Sequence, residues 1–98
     1  MAERDLQGSI VRWLNTQHCT VARVNGPGPA HVVGDPDIYG CCAGGMFVIE
    51  CKSAVGCTSQ TQEFRLDEWR KAGASTLVAR SLKAVKEWYE NMYGDRDP

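Results

Sequence analysis

Leu6, Ile10 and Leu14 recur at four-residue steps, with Val11 and Trp13 beside them. That spacing predicts an amphipathic helix over about residues 2–18. Thr20-Val21-Ala22-Arg23-Val24 is rich in β-formers and reads as a strand. Asn25-Gly26-Pro27-Gly28-Pro29 then breaks regular structure, opening a polar loop that runs through His31 to Gly34. Two short apolar runs flank Gly44-Gly45, the pattern of a β-hairpin. The second run, Met46 to Ile49, suits a buried strand. Ser59-Gln60-Thr61-Gln62 has the form of a capping box and opens a helix to about Ala72, with Gly73 as its stop. Leu66 and Trp69 mark the apolar side of that helix, and Gln62, four residues before Leu66, shares it. Ser75-Thr76-Leu77-Val78-Ala79 reads as a further strand. Ser81 is a good N-cap for a last amphipathic helix, whose stripe is Leu82, Val85, Trp88 or Tyr89, and Met92.

The order is helix, three strands, helix, strand, helix. Successive strands predict an antiparallel meander, and a helix between the third and fourth predicts a parallel crossover. The expected fold is α/β, with a small mixed sheet flanked by helices. At 98 residues the chain suffices for one domain, taken as residues 1–93, followed by a polar tail over 94–98. No apolar run is long enough to span a bilayer, and the charged N-terminus lacks a signal-peptide core, so an intracellular protein is expected. The net charge of −1 argues against a surface that is basic throughout. It does not exclude a nucleic-acid enzyme, because a bound cation offsets site carboxylates.

Five cysteines are present: Cys19, Cys41, Cys42, Cys51 and Cys57. Their odd number and the lack of Cys-x-x-Cys spacing speak against a disulfide framework, a zinc site or a thiol-redox protein. Cys51 is expected as a small packing residue and the others as incidental thiols.

The second hairpin strand ends unusually, in Glu50-Cys51-Lys52. Side chains alternate along a strand, so Glu50 and Lys52 point to one side and Cys51 to the other. Asp37, at the start of the partner strand, comes close to Glu50 if the strands pair about the turn. Two adjacent carboxylates repel unless a proton or cation lies between them. Oxygen ligands of this kind suit Mg²⁺ or Mn²⁺. A solvated ion pair at a strand end and an ordinary Asp-Pro turn would account for the same residues. Glu3 falls on nearly the same side of its helix as Ile10, and equally reads as a first-turn acid.

The ordered set Pro36-Asp37 and Glu50-Cys51-Lys52 resembles the PD-(D/E)XK nuclease superfamily. More narrowly, Gly34-Asp35-Pro36-Asp37, Gln62, Gly73 and Val78-Ala79-Arg80-Ser81 resemble a small stand-alone VRR-NUC domain of phage and bacterial type. The resemblance runs from about Glu3 to Val85. It implies a restriction-endonuclease-like αβββαβ core with an added C-terminal helix. It implies a metal-dependent DNA endonuclease in which Asp37 and Glu50, with the backbone carbonyl of Cys51, hold Mg²⁺ or Mn²⁺. Glu3 would complete the site, and Lys52 would position water and add positive charge. Gln62 would lie beside the metal. His31 and Arg80 are candidate substrate contacts, although a loop His and a surface Arg need no such role. Relatives of this type imply branched DNA, such as a Holliday junction, and a two-fold dimer that supplies a second active site. Trp13, Trp88, Tyr89 and Tyr93 could form an apolar interface, and core packing explains them as well. The competing reading is a nucleic-acid-binding or interaction module of the same fold without turnover.

Overall fold

The computed structural model describes residues 3–24 and 32–94. The sequence elements fall in the expected order: α1 (Glu3–Thr16), β1 (Thr20–Arg23), β2 (Ile38–Cys42), β3 (Gly45–Cys51), α2 (Gln60–Lys71), β4 (Ser75–Ala79) and α3 (Leu82–Tyr93). The four strands form one sheet in the order β1-β2-β3-β4. The first two pairings are antiparallel and the last, reached through α2, is parallel. The protein is therefore α/β with a small mixed sheet and three helices. Among the described residues no helix is long and apolar enough to cross a membrane. Of the tail at 94–98 only Gly94 is described, and residues 25–31, His31 among them, lie outside the described residues.

The hairpin turn lies one residue earlier than the sequence suggests. Cys42 pairs with Gly45, so the loop is Ala43-Gly44. Both residues have positive φ, 52° and 83°, as a two-residue type I′ turn requires. Gly45 belongs to β3. The turn fixes the register, which pairs Ile38 with Ile49 and Tyr39 with Val48. One step beyond Ile38 and Ile49, Asp37 stands opposite Glu50.

Helices α1 and α3 pack on one face of the sheet. Leu6, Ile10 and Leu14 are buried there with Ile38, Phe47, Ile49, Cys51 and Val85. Removing such side chains from water is the main driving force for this layer. The expected stripe of α3 is right at Leu82, Val85, Trp88 and Tyr89 but wrong at its end. Met92 is 42% exposed and Tyr93 is buried instead. The aromatic residues explain this. Phe47 and Trp88 pack edge to face at 5.3 Å, and Trp88 and Tyr93 at 6.0 Å. Trp13 meets Tyr89 edge-on at 5.3 Å, joining α1 to α3. The four aromatics considered for a dimer interface are thus engaged in or against the core. Helix α2 covers the opposite face over β3 and β4, where Val48, Glu50 and Leu66 are buried. Arg70 Nη2 donates to Thr76 Oγ1 at 2.8 Å on that side.

One cysteine expectation is overturned. Cys19 and Cys42 are joined in a disulfide, with a Cα–Cα distance of 4.5 Å. Sequence spacing hides this pair because the sheet creates it. Thr20 pairs with Cys41, so Cys19 lies across from Cys42. Cys51 is buried as expected, and Cys41 and Cys57 are exposed thiols. Across the 23-residue separation, loop-closure entropy makes the bridge worth about 3 kcal/mol. Urea denaturation with and without a phosphine reductant, and of a Cys19→Ser, Cys42→Ser variant, should show a loss of that order. Equal midpoints would contradict it.

Candidate active site

The sheet places Glu50 at the C-terminal end of β3, on the face beneath α2. It is the one buried charged residue among the described residues, at 2% exposure. A carboxylate so placed is costly unless it is paired and hydrogen-bonded. Two donors meet the need at one oxygen. Lys52 Nζ lies 3.4 Å from Glu50 Oε2, confirming that Glu50 and Lys52 share a face. Gln62 Nε2 donates to the same Oε2 at 2.6 Å. The other oxygen, Glu50 Oε1, is buried and accepts no hydrogen bond.

Asp37 reaches this pocket from the segment before β2. Its Oδ2 accepts from the backbone N–H of Cys51 at 2.8 Å, and its carbonyl accepts from Val24 N at 2.8 Å. Burial pushes the Glu50 carboxyl from its ordinary 4.5 up to about 7, the Asp37 charge pushes the same way, and Lys52 opposes both. The sequence expectation that Asp37, Glu50 and Lys52 converge is met.

Gln62 caps its helix and also reaches Glu50. Its backbone N–H donates to Ser59 Oγ at 3.1 Å, and its side-chain Oε1 accepts from Ser59 N at 2.9 Å. The capping box is complete, and it uses the amide oxygen. The amide nitrogen remains for Glu50. The cap therefore sets which end of the amide faces the carboxylate.

The turn that carries Asp37 is docked on α2. Gly34 has a φ of +88°, and a Cβ there would lie 2.6 Å from the Thr61 methyl. Asp35 Oδ1 accepts from Arg65 Nε at 2.7 Å and from Trp69 Nε1 at 3.3 Å. Pro36 is buried. These contacts were not visible in the sequence, where Asp35 reads as turn chemistry.

The remaining candidates are placed less centrally. Arg80 Nη1 donates to the carbonyls of Ser53, at 2.7 Å, and of Gly56. It braces the turn that follows Lys52. The backbone N–H of Lys52 donates to Ala79 O at 3.0 Å, extending the parallel ladder into the site. Glu3 opens α1, but its side chain, like His31, lies outside what is described. Among the described residues no three His, Cys, Asp or Glu side chains converge as a cation site. The convergent carboxylates are two, Asp37 and Glu50. No family model, curated protein or solved structure matches this chain.

The raised pKa of Glu50 has a stability consequence. The folded chain binds this proton more tightly than the unfolded one. The stability so gained is complete below about pH 4.5 and is lost as pH rises through about 7. Glu50→Gln should therefore match or trail the parent at pH 4 and exceed it at pH 8. Denaturant titrations in the presence of a chelator measure this. A difference independent of pH would contradict it.

Proposed function

We propose that this protein is a divalent-cation-dependent endonuclease that hydrolyses DNA phosphodiester bonds, on a restriction-endonuclease-like core of the VRR-NUC kind. One observation carries the reading. Asp37 and Glu50 lie close enough to repel when both are charged and to share a hydrogen bond when Glu50 is protonated, while Lys52 and Gln62 engage Glu50 Oε2. A chain selected for stability alone has little use for that arrangement. Two carboxylates held this close need a proton or a cation between them, and a small cation with oxygen preference fits.

Asp37 and Glu50, with the carbonyl of Cys51, are the proposed ligands of Mg²⁺ or Mn²⁺. What such an ion supplies when bound is a more acidic water and charge compensation at phosphoryl oxygens. The chain's own residues do the rest. Lys52 puts an ammonium at the edge of the pocket, where charge builds on the phosphoryl group in the transition state. Gln62 holds Glu50 Oε2, leaving Oε1 for the pocket. The backbone N–H of Cys51 holds Asp37 Oδ2. Arg80 keeps the turn after Lys52 in place. Selectivity for branched DNA, and a two-fold dimer carrying paired sites, complete the proposal on the strength of the sequence resemblance.

Purified protein incubated with junction, flap and linear DNA, with Mg²⁺, Mn²⁺ or EDTA, tests it. Cleavage should require the metal and stop on chelation. Asp37→Ala and Lys52→Ala should each lower the rate by about 100-fold or more with the fold retained by circular dichroism. Binding without cleavage under every metal would replace the enzyme with a non-catalytic module. Cleavage untouched by both substitutions would place the activity elsewhere.

A further inference from the structure

Helix α2 carries Gln62, yet it is weakly anchored by apolar packing. Leu66 is its only buried side chain. One such residue restrains rotation and sliding of a helix poorly, because an apolar contact has no direction. The directional restraint comes from the turn before β2. Arg65 and Trp69 are four residues apart and so share one side of the helix. Both donate to Asp35 Oδ1, Arg65 through Nε at 2.7 Å and Trp69 through Nε1 at 3.3 Å. The Arg65–Asp35 pair is mostly shielded, with side chains 24% and 17% exposed. Glu68 Oε1 accepts from Arg65 Nη1 at 2.6 Å and orients the guanidinium. One turn nearer the helix start, Gly34 packs directly on Thr61. The same segment runs on through Pro36 to Asp37, two residues past the Val32–Asp35 turn. The segment that supplies one carboxylate is therefore fastened to the helix that orients the other.

We propose that Asp35, through Arg65 and Trp69, is a positioning residue that holds Gln62 in register with Glu50. The Gln62–Glu50 bond is 2.6 Å long, and a slide of about 1 Å takes a hydrogen bond beyond its useful range. Loss of Asp35 lets α2 shift, frees the Gln62 amide and disorders the carboxylate pair. The placement of Gln62 is independent of the reaction. Its catalytic consequence rests on the nuclease reading.

The test compares the parent protein with Asp35→Ala, Trp69→Phe, Asp35→Arg, Arg65→Asp and the swapped pair that combines the last two. Nuclear magnetic resonance follows the Gln62 side-chain amide, and steady-state cleavage of a junction substrate follows kcat and KM. In Asp35→Ala the Gln62 amide should shift and lose its protection from exchange. Its kcat should fall by about 100-fold with KM changed much less, as expected for a misplacement near 1 Å. The swapped pair should recover about tenfold over either single change. Trp69→Phe removes one donor only and gives a smaller change of the same kind, which serves if Asp35→Ala does not fold. A lowered melting temperature with Gln62 signals and kcat unchanged would overturn the proposal and leave Asp35 a merely structural residue. If the parent cleaves nothing, the nuclease reading falls, and the Gln62 signals alone decide whether Asp35 positions that amide.

Discussion

One buried carboxylate, Glu50, sets the polar arrangement on the α2 face of the sheet. Glu50 occupies a strand position whose neighbours Phe47, Val48, Ile49 and Cys51 are all fully buried. An apolar side chain would fit there without the desolvation cost that a carboxylate brings. Around Glu50 the chain assembles an ammonium from just past the end of its strand, an amide from α2 and a second carboxylate from the segment before β2. The first two relieve the burial and the third aggravates it. That opposition is the feature on which the proposed function rests.

The rest of the fold sets this geometry. The type I′ turn fixes the β2–β3 register and so brings Asp37 opposite Glu50. The parallel pairing with β4 continues through Lys52 N and Ala79 O, so Lys52 leaves the sheet in a defined direction. On the far face α1 and α3 supply the apolar core, and the Cys19–Cys42 disulfide ties the end of α1 to the end of β2. The face with the site has less apolar packing and relies more on polar fastening, through Asp35, Arg65, Trp69 and Arg70.

Local periodicity made the element order, the mixed sheet, the capping box and the shared face of Glu50 and Lys52 legible in the sequence. The convergence of Asp37 followed from hairpin pairing alone. What was hidden depends on contacts between distant segments. The disulfide arises from strand register, against a Cys count and spacing that argue the other way. The exchange of Met92 for Tyr93 follows from an aromatic cluster in which Tyr93 packs on Trp88 and Tyr89, themselves seated on Phe47 and Trp13. Asp35 looked like a turn former because its partners lie about thirty residues on. Arg80 read as a candidate substrate contact or an ordinary surface residue, and its hydrogen bonds to the Ser53 and Gly56 carbonyls cannot be read from residue types.

The central claim is that Asp37 and Glu50 hold one cation between them. Titration of the chelator-treated protein with Mn²⁺, following free Mn²⁺ by electron paramagnetic resonance, addresses it without any substrate. The account predicts one saturable ion per chain, with binding lost in Asp37→Asn and in Glu50→Gln alike. Mn²⁺ binding that is absent from the parent, or that survives both substitutions, would contradict it.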